Sequence, residues 1–222
     1  MIAAHQTMLA PQGAPLPYDA EVEYLESTGT QWIDTGYYAS NRTDIELSFQ
    51  PGTFNYTAGW RCLFGARMNN IGASSNRINT PMIWMSRDRQ LALNDYQNYD
   101  SGGTSAYAPA NAQSVFEIRG RKLYLNGTQY VASGQTSTYQ STVTTGLLRC
   151  RFADGWEAAT EASRQLPGKI YYMKFYEDGV LAEHLVPVRV GQVGYLFDRV
   201  SGELFGNAGT GAFVVGPDKN GV

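Results

Sequence analysis

Charge and cysteine are both scarce in this chain. Of its 222 residues only 17% are Asp, Glu, Lys or Arg, against a usual share of about 25%. The formal net charge is -3, which argues against a general nucleic-acid binder, since that function needs a clustered cationic face. Short basic clusters stand at Arg87/Arg89 and Arg119/Arg121/Lys122, and they read as solvated strand edges or turns. The two cysteines, Cys62 and Cys150, permit one disulfide but no ligand cluster for a metal, and the plainer expectation is two buried thiols. Histidine is limited to His5 and His184, and no Gly-x-Ser-x-Gly turn occurs, which disfavours a Ser-His-Asp hydrolase. Phosphate-cradling glycine loops and histidine-rich zinc motifs are missing too. No apolar run approaches the roughly 20 residues that cross a bilayer, so no membrane partner is expected. The first residues, MIAAHQTMLAPQGAPLPYDA, lack the basic start and apolar stretch of a secretory leader.

What is present is 43% apolar and 13% aromatic residues, enough for one sizeable core in one all-β domain. Residues 1–20 differ from the rest: Pro11, Pro15 and Pro17 bar a central strand and favour extended geometry. They read as an extended arm, either a disordered terminus or a segment that docks on a partner subunit. From Glu21 onward the pattern has period two. Ile45, Leu47 and Phe49 alternate with Asp44, Glu46, Ser48 and Gln50, predicting a half-buried strand. Asn126-Gly127 and Asp178-Gly179 predict tight hairpins, because both residues of each pair tolerate positive φ. Between the latter turn's strands, Tyr171, Met173 and Phe175 are expected to share one face. Shorter strands fit at 61–66, 81–86, 90–94, 114–119, 146–152, 193–198 and 203–205. Only Glu157–Gln165 offers a turn or two of helix. Residues 67–80 and 94–113 read as long loops, of the kind that carry function. Many short strands between Gly-rich turns predict a two-sheet antiparallel jelly-roll sandwich.

Four stretches go further: EYLESTGTQWIDTG at 23–36, LFGAR at 63–67, KLYLNGT at 122–128 and the block from Gly168 to Pro217. Together they resemble a laminin-G-like, concanavalin-A-like lectin jelly-roll module that recurs in phage virion proteins and in surface proteins of gut bacteria. The resemblance covers the chain from Glu21 to about Pro217, so the domain is placed at 21–222 with the arm outside it. It implies Gly29, Gly36, Gly65, Gly194, Gly209 and Gly211 at tight turns or close approaches. It places Trp32, Ile33, Phe64, Phe175, Leu196, Phe197 and Phe213 in the core between the sheets. It further implies a sugar-binding or adhesive role on a virion surface, or otherwise on a bacterial cell surface or in secreted form. The arm would then join the module to other virion proteins. Homo-oligomers are expected of such a part, although no heptad or similar signal marks one. This fold hosts lectins, glycanases and structural modules alike.

Catalysis has one candidate, Glu21-Val-Glu23-Tyr-Leu-Glu26, which resembles the paired carboxylates of β-glucanases of this fold. Glu21 and Glu23 would share a strand face at about 7 Å between Cα atoms, near the spacing that a retaining glycosidase uses. Glu26 would face the other way, and the segment belongs to a framework block, so exposed edge carboxylates and no enzyme are the expectation. A calcium ion is the one conceivable cofactor, through Asn94, Asp95, Asn98 and Asp100, although their spacing matches no EF-hand. The stronger signal is aromatic. Tyr96, Tyr99 and Tyr107 with Asn94, Asp95, Asn98 and Trp84 form the candidate carbohydrate-binding set: rings stack on the C–H faces of sugars while amides and carboxylates meet their hydroxyls. Trp60, Trp156 and Tyr139 are further loop or strand-end aromatics. Core packing is the competing role for each tryptophan.

Overall fold

A computed structural model describes residues 15–53, 60–69, 77–86, 88–96, 98–100, 107–152 and 165–219. Every regular element among the described residues is a strand. The first eight are β1 (Ala20–Glu21), β2 (Leu25–Ser27), β3 (Ile33–Asp34), β4 (Thr43–Pro51), β5 (Trp60–Asn69), β6 (Arg77–Ser86), β7 (Leu91–Tyr96) and β8 (Asn98–Asp100). Five shorter ones follow: β9 (Ser114–Arg119), β10 (Lys122–Leu125), β11 (Thr128–Ala132), β12 (Gly146–Leu147) and β13 (Arg151–Phe152). The last are β14 (Gly168–Glu177), β15 (Val180–Val190), β16 (Val193–Asp198), β17 (Leu204–Phe205) and β18 (Val214–Val215). The larger sheet runs β11-β10-β9-β4-β14-β15-β16-β17, with β1 on β15, β2 on β14 and β18 on β2. The smaller runs β3-β12-β5-β6-β7-β8, and β13 joins β5. All pairings are antiparallel except β13 with β5.

The core lies between the sheets. Ile45, Leu47 and Phe49 point inward as their alternation predicts, beside Phe116 and Ile118 of β9 and Met173 and Phe175 of β14. Ile33, Leu63, Phe64, Ile83, Leu93 and Leu147 face them from the smaller sheet. The expected grouping of Tyr171 with Met173 and Phe175 is corrected by a bulge: the register of β14 on β4 shifts between Ile170 and Tyr172. An extra residue reverses the alternation, so Ile170 joins Met173 and Phe175 in the core and Tyr171 turns outward. Phe197 is a second correction. Its register partner is Val186, and both lie on the outer face of the larger sheet, where Tyr18 meets Phe197 at 4.9 Å between ring centroids. Trp32, Leu196 and Phe213 are in the core as expected.

Turn chemistry holds where it is most specific. Asn126 and Gly127 have φ of 49° and 77°, and Asp178 and Gly179 have 50° and 76°, the left-handed pairs of a type I′ hairpin. The two predicted loops are shorter than expected. β5 continues to Asn69 and β6 begins at Arg77, while β7 (Leu91–Tyr96) pairs antiparallel with β8 (Asn98–Asp100). Leu91 and Leu93 point into the core while Ala92 packs on the other face, which suits a strand although the residues that follow read as a loop. Residues 1–14 of the arm, Trp156 and residues 157–164 of the helical candidate lie outside the described residues. Asp19 is already tied to the sheet, its N–H donating to Arg189 O at 2.9 Å.

Candidate ligand-binding cleft

The glutamates of the opening strand do not form a pair. Glu21 is buried and ion-paired with Arg199, with Lys219 Nζ at 3.9 Å, whereas Glu23 is exposed. The expected exposed edge therefore holds for Glu23 only. Glu21 serves as a clamp between the chain's first strand and the segment at Lys219, whose N–H donates to Glu21 O.

Five of the carbohydrate-binding set lie on β7 and β8, where Asn94 pairs with Tyr99 and Asp95 with Asn98. Trp84 and Asn94 are only 7% and 5% exposed, on the outer face of the smaller sheet. With its amide turned to satisfy both neighbours, Asn94 accepts a 2.7 Å bond from Trp84 Nε1. Around them sit Cys62, Cys150, Met82 and Phe152, with Trp60 packed against the group, and Arg67 stands 5.1 Å above the Phe152 ring. Both cysteines are thus buried thiols, as anticipated. Asp95, 1% exposed, follows Asn94 on a strand and so faces the opposite way. Direct ligand contact requires exposure that these three side chains lack. The Asn94 and Asp95 side chains therefore do not converge on one point, and no group of three or more His, Cys, Asp or Glu side chains that could hold a metal ion occurs among the described residues. The backbones of Tyr96, Asn98, Tyr99 and Asp100 lie in strands rather than a loop, and their side chains lie outside the described part of the molecule. Tyr107 remains 52% exposed, joined to Gln90 by an isolated bridge.

Asp95 leads to the site. Arg121 Nε and Nη2 donate to its two oxygens at 2.6 and 3.2 Å, and Tyr139 OH donates at 2.8 Å. Arg121 sits at φ 63° in the β9–β10 turn and also bonds Gln135 O. One carboxylate of the smaller sheet thereby fixes a turn of the larger sheet and the segment that follows β11. Burial first, and then the Asp95 carboxylate, raises the Tyr139 hydroxyl far above its ordinary range; it is a permanent donor.

Tyr139 lines an open cleft of about 370 Å³ together with Ser40, Asn41, Arg42, Thr138 and Gln140. Two chain segments make its walls. Ser40 and Gln140 form an antiparallel bridge, Ser141 N–H donates to Ala39 O at 2.9 Å, and Tyr139 N–H donates to Asn41 Oδ1 at 3.0 Å. Gln140 Nε2 donates to Tyr38 O at 2.7 Å, which ties the 52% exposed Tyr38 to the cleft. These bonds leave Asn41 Nδ2, Gln140 Oε1 and the Thr138 hydroxyl uncommitted among the described residues.

Beneath the Arg42 side of the cleft lies Glu177, the last residue of β14. It accepts from Ser40 and Thr43 hydroxyls at 2.7 Å each, from Tyr37 OH at 3.1 Å and from Arg42 Nε at 3.2 Å. Burial opposes its ionisation, but these donors outweigh it and hold the carboxyl below the usual range. Glu183 is the reverse case. Its register partner is Phe175, which turns it toward the core, and its Oε2 has no hydrogen-bond partner. Burial, and then the Asp198 and Glu203 carboxylates, push it up to about 8. A raised carboxyl pKa favours the folded state below the unfolded pKa and loses that advantage as pH rises through the folded value. Stability measured by denaturant unfolding is therefore expected to fall from about pH 5 to pH 9. Glu183→Gln should flatten this slope and recover about 2 kcal/mol at pH 9, a figure discounted for residual solvent screening. An unchanged slope in the variant would contradict the assignment.

Arg121, Tyr38, Asn41, Arg42, Thr138 and Gln140 were not in the sequence-derived set. A signal existed for the second wall: Gly134–Thr142, GQTSTYQST, is polar, charge-free and flanked by strands, as strong a loop signature as residues 94–113.

No protein-family model matches the chain, and no curated protein matches it in sequence. Among solved structures it is similar to a protein from Bacteroides ovatus ATCC 8483, provisionally assigned to carbohydrate binding, with a TM-score of 0.52 and 9% sequence identity. The match covers 90% of this chain and 61% of that one, so the chain spans less than two thirds of its neighbour's length. At this identity the likeness concerns the fold. Over its described residues the chain is an all-β, two-sheet antiparallel sandwich of the jelly-roll kind, with a polar cleft lined by residues 40–42 and 138–140.

Proposed function

We propose that this protein is a non-catalytic glycan-binding module whose site is the cleft between residues 38–42 and 138–140. The observation that carries this reading is the lining: the side-chain amides of Asn41 and Gln140, the hydroxyls of Ser40 and Thr138, and Tyr139. Sugar hydroxyls suit uncommitted amide donors and acceptors, and a sugar's C–H face suits a tyrosine ring. The fold it shares with a protein provisionally assigned to carbohydrate binding supports the same class. Hydrolysis lacks support because the described lining residues include no carboxylate or imidazole. The adjacent Glu177 is held ionised by four donors, and a glycosidase needs a carboxylic acid of raised pKa opposite a second carboxyl.

The resemblance to virion modules extends the proposal to display on a phage particle. Residues 1–20 would join other virion proteins, in a homo-oligomeric array, and the cleft would engage host-surface or mucosal polysaccharide. An oligosaccharide array tests the binding claim. The full chain should bind a subset of its members, and Asn41→Ala should weaken that binding at least tenfold. Binding to no member would favour a purely structural decoration role, and release of reducing sugar from any bound member would contradict the non-catalytic assignment.

A further inference from the structure

The charges around the cleft select among glycans. Arg42 is the one cation among the described residues of its lining, and its guanidinium is already engaged at all three nitrogens. Nε and Nη2 meet Glu177 Oε1 at 3.2 and 3.1 Å, and Nη1 lies 3.5 Å from Asp178 Oδ2. One positive charge thus stands against two negative ones. Asp178 is the more exposed carboxylate, with 61% of its side chain open to solvent, and Arg42 is 55% exposed. The other lining residues, Ser40, Asn41, Thr138, Tyr139 and Gln140, are uncharged. The carboxylate of Asp95, under the Tyr139 wall, is balanced by Arg121. A ligand carboxylate or sulfate entering here would have to displace Glu177 or Asp178 from Arg42, or remain near them without a counter-charge, and like charges at short range are unfavourable. A neutral ring meets no such opposition.

Resting on the glycan-binding reading above, we infer that the cleft takes uncharged sugar residues and rejects uronic, sialic and sulfated ones, with Asp178 beside Arg42 as the residue that sets this preference. Asp178 occupies the first position of a type I′ turn, at φ 50°, where Asn is equally at home. Asp178→Asn therefore removes the charge while keeping the turn.

The test uses the full chain on matched pairs of immobilised oligosaccharides, each neutral member beside its uronate- or sulfate-bearing counterpart. Neutral members should bind at least tenfold more tightly, with less than a twofold change in affinity between 50 and 500 mM NaCl, because a neutral ligand releases no counter-ions. Asp178→Asn should narrow the neutral-to-acidic ratio at least threefold, with an unchanged melting temperature. Acidic members binding as tightly as neutral ones, or a ratio unmoved in the variant, would overturn this inference and leave glycan binding standing. Failure of every member to bind would overturn the glycan reading itself, and the selectivity with it.

Discussion

Asp95→Ala should cost the protein about 3–5 kcal/mol of stability and weaken glycan binding together. The carboxylate is nearly inaccessible and receives two bonds from Arg121 and one from Tyr139. Removing one partner of a buried pair leaves the other charge uncompensated, and that penalty, rather than the attraction lost, sets the size of the effect. Arg121 has only 13% of its side chain exposed, so it cannot recover full hydration without moving the β9–β10 turn. Tyr139 loses its acceptor at the same time, and its backbone forms one wall of the cleft. Urea unfolding would measure the first effect and oligosaccharide affinity the second. A stability loss under 1 kcal/mol would mean that the pair behaves like a solvated surface ion pair. The sequence suggests Asp95 as a direct sugar ligand; in the structure it is 1% exposed and accepts from Arg121 and Tyr139, which makes it a positioning residue behind the proposed site.

Gly65→Ala is expected to be comparably harmful for a different reason. Gly65 has φ of +143° in β5, and a Cβ built there would lie 2.2 Å from Met82 Cβ on the neighbouring strand. Met82 Cβ is bonded directly to backbone and cannot rotate away. Either the strands separate or the chain adopts a different φ, at a combined cost of roughly 2–5 kcal/mol. Gly127→Ala provides the comparison. Its φ is +77° but nothing lies within 4 Å, so only backbone strain applies, about 1 kcal/mol. Equal losses in the two variants by urea unfolding would show that close approach of β5 to β6 is unimportant.

The contrast between these glycines illustrates what a sequence can carry. Asn126-Gly127 and Asp178-Gly179 are local: two adjacent residues dictate a turn, and the hairpins followed. Ile45, Leu47 and Phe49 are nearly local, because alternation alone assigns a face to each. The bulge at Tyr171 was illegible, since it arises from pairing with β4, more than a hundred residues earlier. Asn94, Asp95, Asn98 and Tyr99 were misleading as to local structure alone, for a related reason. Their composition is that of a recognition loop, yet Leu91 and Leu93 draw the segment into a strand, and Arg121 satisfies a charge that composition leaves open. The cleft joins residues 38–42 to residues 138–140, so no window of the sequence contains it. Its second wall was visible as a polar loop, but its first wall, Ser40-Asn41-Arg42, is a short turn that only tertiary pairing makes into a surface.

The central claim is that ligand enters this cleft. Amide chemical-shift mapping of the isotope-labelled full chain, titrated with a neutral oligosaccharide that binds on the array, tests it most directly. The account predicts saturable shifts concentrated at Tyr38–Arg42 and Thr138–Gln140, reduced by Asn41→Ala at the same ligand concentration. Saturable shifts centred instead on Tyr107, or on the outer face of the smaller sheet around Trp84 and Asn94, would contradict it.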